Sequence, residues 1–214
     1  VADTSDENVQ PVLEGLSCQV INYRAYIDWQ LPLTQPGIHN HLNAAAATAA
    51  AASLAIESTF ITQALRNFTG TWRRFEYKGD VNGAKVYDDY AHHPTEIRAA
   101  IAGARELYPD RQLTILFQPH TFSRTEALFH DFVTELAKAD RVVMIPIYAA
   151  REEDDGSVSS EMMVEAIAAA GTAAEHFHTL DAAVLRIKET LGINDIVITL
   201  GAGEVTKAGH TLTR

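Results

Sequence analysis

The sequence has one cysteine, Cys18, in 214 residues, which excludes an internal disulfide and any cluster of thiolate ligands. Basic charge is also short: 17 Lys and Arg face 28 Asp and Glu, for a formal net charge of -11. An acidic chain with scattered cations lacks the basic face that nucleic-acid binding requires, so no nucleic-acid partner is expected. No long apolar run is present. The longest block of small apolar residues, Ala44 to Ala52, is too short and too weakly hydrophobic to span a bilayer, so no membrane partner is expected. The first residues, VADTSDE, show neither a basic n-region nor an apolar h-region, and the expected compartment is the reducing cytoplasm. No GxxxxGK[ST] phosphate loop and no GxSxG nucleophile elbow occur anywhere.

What remains is an ordinary globular composition, 47% hydrophobic and 21% charged, in a chain long enough for one large domain or two small ones. Cys18–Leu33 carries apolar residues with partial period-two alternation and reads as β structure, ended by Pro32 and Pro36. Asn43 then reads as the cap of a helix running through the alanines to about Ile56, with a second helix over Thr59–Phe68.

From about Tyr77 short apolar strands alternate with helices. Strands are expected at Ala84–Asp88, Leu113–Phe117, Arg141–Ile147, Ala174–Phe177 and Asp195–Leu200. Helices are expected at Pro94–Leu107, Ser123–Ala139 (opened by a Ser123-x-x-Glu126 capping box), Ser160–Ala170 and Asp181–Leu191. This pattern predicts an α/β fold, a Rossmann-like, mostly parallel sheet with helices on both faces. Ligands of such folds bind at the carboxyl ends of the strands.

The chemistry-bearing clusters all follow strands. Asp88-Asp89-Tyr90-Ala91-His92-His93-Pro94 offers paired carboxylates for ribose hydroxyls or a hydrated cation and histidines for proton transfer, or it is a polar turn. In Gln118-Pro119-His120-Thr121-Phe122-Ser123-Arg124, an arginine at a helix N-terminus is badly placed for the helix dipole. It is better placed to grip a substrate carboxylate, unless it is simply exposed. Asn40 and Asn43 could read a purine edge or cap the alanine helix. Arg73-Arg74 could meet phosphates or form a solvated bridge. Gly201-Ala202-Gly203 could let backbone approach a phosphate, or could be a tight turn.

The ordered motifs GIHNHLNAAAA, WRRFE, VYDDYAHHPTEI, FQPHTFSRT, KADRV and GAGEVTK, spanning Gly37 to Lys207, resemble the C-terminal half of the UDP-N-acetylmuramate–L-alanine ligases of the Mur ligase family. The murein-peptide ligases, which share DD-x-AHHP, come second. The resemblance implies ATP-dependent amide-bond formation through an acyl phosphate, with UDP-N-acetylmuramate, L-alanine and ATP as substrates and Mg2+ bridging phosphates. It implies that Asn40 and Asn43 contact adenine, that Arg74 lies by the phosphates or ribose, and that Asp89 binds ribose. Tyr90, His92, His120 and Arg124 are implied to form the L-alanine pocket, with His92 and Arg124 as the catalytic pair. Many family members have a second arginine where this chain has Thr121, which leaves the carboxylate to Arg124. Residues 1–76 would be the tail of the central ATP-binding domain and 77–214 the C-terminal amino-acid-binding domain. The phosphate loop, the UDP-sugar domain and most magnesium ligands would lie upstream, so no metal ligand is assigned here. The chain is expected to be a piece of the ligase, inactive alone. The rival reading is a non-catalytic module that binds an amino acid or nucleotide.

Overall fold

The structure, a computed structural model, describes all 214 residues, and they form two compact units, Val1–Gly70 and Thr71–Arg214. No helix is long and apolar enough to cross a membrane.

The first unit is helical. A short helix α1 (Gln10–Leu13) and a 3-10 turn (Tyr23–Tyr26) precede α2 (Ile38–Ser53) and α3 (Ser58–Asn67). The β structure expected over Cys18–Leu33 is not formed; the only ladder contact is an isolated bridge between Ala2 and Asn22. A strand needs a paired neighbour for its backbone groups, and this unit supplies none. Instead Asn22 accepts the Arg24 N–H through its side chain at 3.1 Å and starts the 3-10 turn. Asn43 is likewise not a cap. The helix begins five residues earlier than Asn43, at Ile38, because Gly37 adopts φ 100 and turns the chain in.

The second unit is a six-stranded sheet in the order β1-β2-β6-β3-β4-β5, built from β1 (Glu76–Val81), β2 (Ala84–Asp89), β3 (Gln112–Phe117), β4 (Arg141–Met144), β5 (Ala173–His176) and β6 (Asp195–Leu200). The β1–β2 pair is an antiparallel hairpin turned by Asn82-Gly83, both at positive φ, and every other pairing is parallel. The α/β expectation therefore holds, with β1 an addition that its polar sequence, EYKGDV, did not announce.

Helices cover both faces. On one, α4 (Pro94–Leu107), α6 (Phe129–Leu136) and α7 (Ser160–Ala169) bury Ile97, Ile101, Phe132, Leu136, Met163 and Ile167 against Ile115, Phe117 and Ile198. On the other, α8 (Leu180–Thr190) and α9 (Thr206–Leu212) bury Val184, Ile187 and Leu212 against Val86, Leu116, Val143 and Val197. The single helix expected over Ser123–Ala139 is two, α5 (Phe122–Ala127) and α6, with Leu128 between them at φ -114 and ψ 18. Because β6 lies between β2 and β3, the chain leaves neighbouring parallel strands toward opposite faces, and a crevice at their carboxyl ends is the expected ligand position.

Candidate functional site

Strand β2 ends in two adjacent aspartates with different environments. Asp88 is fully buried and accepts from Arg73 Nε at 2.9 Å, from Thr206 Oγ1 at 3.0 Å and from the Thr199 hydroxyl. Asp89 accepts the backbone N–H of Phe75 and that of Ala91, each at 2.8 Å. Burial pushes its carboxyl up to about 6, outweighing the two bonds that favour the ionised form. The two adjacent carboxylates are thus not equivalent, and each is engaged by groups of the chain itself.

Arg73 is neither a phosphate ligand nor a solvated bridge. It is 4% exposed, and besides Asp88 it donates to the Gly201 carbonyl, tying the start of β1 to the end of β6. Arg74, next to it, is half exposed, with its guanidinium 5.9 Å from the Tyr90 ring centroid and Nη1 3.4 Å from Glu96.

The turn into α4 divides its two histidines. His93 caps the helix, its Nδ1 accepting the Thr95 N–H at 3.3 Å, and Pro94 follows at the position where a missing N–H is harmless. His92 points the other way. Its backbone N–H donates to Glu96 Oε2 at 3.0 Å, and its ring lies 5.1 Å from Tyr90 and 6.0 Å from His120.

His120 comes from the loop after β3. It stacks on Tyr148 from the loop after β4, at 5.4 Å and 13°, and its Nδ1 is buried without a hydrogen-bond partner. Burial lowers its pKa, aided by the Arg124 charge and then by His92, which favours the neutral ring. Arg124, on the first turn of α5, donates through Nη1 to the His120 carbonyl at 3.1 Å. A guanidinium has five N–H donors in a planar fork, so one such bond leaves the fork able to meet a carboxylate. Tyr90, His92, His120 and Arg124 thus converge at the ends of β2 and β3. Asn40 and Asn43 lie three residues apart on α2, in the first unit; Asn40 Nδ2 donates to the Pro36 carbonyl at 2.7 Å.

A family model described as Mur ligase, glutamate ligase domain matches residues 73–203, more than half of the chain. The chain belongs to the Mur ligase family. It is 46% identical over 208 residues to UDP-N-acetylmuramate–L-alanine ligase of Clostridium acetobutylicum, covering 97% of this chain and 45% of that protein. Against the same-named ligase of Desulfitobacterium hafniense it is 39% identical, over 99% of this chain and 47% of the relative. The chain therefore spans about half the length of the curated relatives it matches. Among solved structures, UDP-N-acetylmuramate-alanine ligase of Thermotoga maritima superposes with a TM-score of 0.71 at 29% identity, covering 84% of this chain and 38% of that one.

Within this Mur ligase chain, several site-building residues escaped the sequence reading. Glu96 holds the His92 backbone; its spacing of four from His92 on a helix start was the available signal. Glu152 replaces the expected Ser123–Glu126 capping box. It accepts from Ser123 N at 2.8 Å and Ser123 Oγ at 2.6 Å across α5, and these two bonds push its carboxyl down to about 2. Nothing in the acidic loop Arg151–Ser157 singled Glu152 out. Gln118 was noticed only as part of a cluster. Its side chain accepts the Val205 N–H at 3.1 Å and donates to the Pro146 carbonyl at 3.4 Å, joining the loops after β3, β4 and β6. The glycines of Gly201-Ala202-Gly203 answer to this packing: a Cβ on Gly201 would lie 2.6 Å from the Gln118 carbonyl oxygen, and one on Gly203 2.5 Å from Gln118 Oε1.

Proposed function

We propose that this chain is the amino-acid-binding part of an ATP-dependent ligase that joins L-alanine to UDP-N-acetylmuramate. The observation that carries this reading is the convergence of Arg124, His92, His120 and Tyr90 at the carboxyl ends of β2 and β3. The identity to ligases bearing that name supports it.

In this reading Arg124 receives the carboxylate of L-alanine through parallel, charge-assisted hydrogen bonds. His92 and His120 line the amine side. A ring kept neutral by burial, as His120 is, can accept a hydrogen bond from the amine as it loses its proton. The ATP γ-phosphoryl group passes to the muramoyl carboxylate and ADP leaves. The amine nitrogen then attacks the acyl carbon, the carbon–oxygen bond to phosphate breaks, inorganic phosphate leaves and the amine gives up its proton. Catalysis in such transfers rests on positioning and charge neutralisation.

In the second unit, Arg74 and Asp89 would serve the nucleotide; in the first unit, taken by itself, Asn40 and Asn43 of α2 would serve adenine. Arg74 is half exposed, and its one weak ion pair, 3.4 Å to Glu96, leaves guanidinium donors to meet phosphate or ribose. Asp89, with both oxygens bonded to backbone, acts foremost by fixing the turn that carries Tyr90 and His92, with ribose contact left to its remaining lone pairs. The resemblance leaves most of the Mg2+ ligands to residues upstream of this chain, and Asp88, Asp89, Glu96 and Glu152 are already bonded to groups of the chain. Residues 1–76 would belong to the ATP-binding domain and 77–214 to the amino-acid domain; the compact units divide six residues earlier, after Gly70.

The test is Arg124→Ala in a complete ligase that contains this segment. Losing a charged hydrogen-bonding partner of the substrate carboxylate should raise the KM for L-alanine about 10- to 100-fold, leaving the KM for ATP near its original value. An unchanged KM for L-alanine would remove Arg124, and with it this reading of the pocket.

A further inference from the structure

A second group of ligating side chains lies at the far edge of the same sheet. His176 is the last residue of the edge strand β5, His178 follows two residues on, and Glu161 is in the first turn of α7, which packs against β5. His176 Nδ1 is 3.2 Å from Glu161 Oε1, His178 Nδ1 is 3.9 Å from the same oxygen, and the three ligating atoms lie within 4.8 Å of one another. Two strand spacings separate β5 from β3, so this cluster is about 10 Å or more from the strand that positions His120.

We infer that Glu161, His176 and His178 form a binding site for a zinc-type transition-metal cation. Two imidazoles and one carboxylate are a borderline ligand set that suits Zn2+, Ni2+ or Cu2+ over Mg2+ or Ca2+, which prefer oxygen donors throughout. Tetrahedral zinc with bonds near 2.0–2.1 Å places its ligand atoms roughly 3.3 Å apart. The His176–Glu161 separation already fits. The other separations close by rotation of His178 and Glu161, whose side chains are 86% and 50% exposed. His176 supplies the most fixed corner, its side chain being only 9% exposed. With three protein ligands the coordination is completed by solvent. The bound ion would pin the start of α7 to the end of β5, a strand that has a partner on one side only.

The experiment is a titration of the purified 214-residue chain with zinc chloride, free metal being read by competition with a chromophoric chelator. Wild type is expected to bind one equivalent through these residues. His178→Ala and Glu161→Gln are each expected to weaken that site by about tenfold or more. Both substituted side chains are exposed, so the metal-free melting temperatures of the variants should stay close to that of wild type, and zinc should raise the melting temperature of wild type more than that of either variant. Zinc binding that persists at wild-type strength in both variants would place the metal at other histidines and overturn the assignment. So would an absence of binding by the wild-type chain at about millimolar zinc.

Discussion

Asp89 shows how one carboxyl can be both necessary and strained by its position. Its two backbone hydrogen bonds hold the turn that presents Tyr90 and His92, yet burial raises its pKa from 3.8 to about 6. An acid with a raised native pKa binds its proton more tightly when folded. Its favourable contribution is therefore complete below about 3.8 and is withdrawn as the pH rises to about 6. The gap corresponds to about 3 kcal/mol at 1.36 kcal/mol per unit. The stability of wild type relative to Asp89→Asn is accordingly expected to fall by up to about 3 kcal/mol between pH 4 and pH 7. Denaturant unfolding at several pH values measures this, and the carboxyl carbon resonance of Asp89 should titrate with a midpoint near 6. A midpoint near 4 would show that the site is far wetter than its burial implies. The sequence announced the cluster through residue density alone. Composition and spacing did not distinguish Asp88 from Asp89, or Arg73 from Arg74, and only the family resemblance singled out Asp89 and Arg74; the physical distinction is burial, which arises only when β1, β2 and β6 are side by side.

At the scale of elements, legibility followed from whether the forming signal was local. Helix α4 was readable to its last residue because Pro94 fixes its start, and β3 and β6 were readable as apolar blocks. Cys18–Leu33 was misread because alternation describes a strand's faces but cannot supply its neighbour. The split of α5 from α6 left no mark, as neither glycine nor proline stands between Phe122 and Leu136. The β6–α9 turn was visible as glycines but not as to cause. Gly201 has φ 140, and its missing side chain lets the turn lie against the Gln118 carbonyl. Gly201→Ala should therefore lower stability by about 1–3 kcal/mol, the usual cost of holding a residue in such a conformation. Gly192→Ala, whose Cβ would meet nothing nearer than 3.5 Å, is the control and should change stability by less than about 0.5 kcal/mol. Urea midpoints of the two variants decide the matter, and equal midpoints would mean that the turn relaxes without loss.

Across the whole molecule, apolar burial is divided unevenly. In Val1–Gly70 the buried apolar side chains are Ala44, Ala45, Ala49 and Ile61, while Val12, Trp29, Ile38, Leu54, Ile56, Phe60 and Phe68 are exposed. Thr71–Arg214 has two full cores on a continuous sheet. An alanine buries little more than one methyl group, whereas each large aliphatic side chain contributes about 1.5–3 kcal/mol when fully buried. Helix α2 is thus maintained by intrinsic propensity and shallow packing, and at 16 residues it is near the length where an isolated helix is only marginal. The central strands can exchange their amide protons only through unfolding of the entire second unit. Amides of α2 and α3 are therefore expected to exchange at least about 100-fold faster than those of β2, β3 and β6, a difference of about 2.7 kcal/mol or more in opening free energy. Hydrogen exchange read by mass spectrometry, peptide by peptide, measures this directly. Uniform protection across both units would mean that the alanine helix is held by interactions of a strength its burial does not provide, and the uneven division of stability argued from burial would fall.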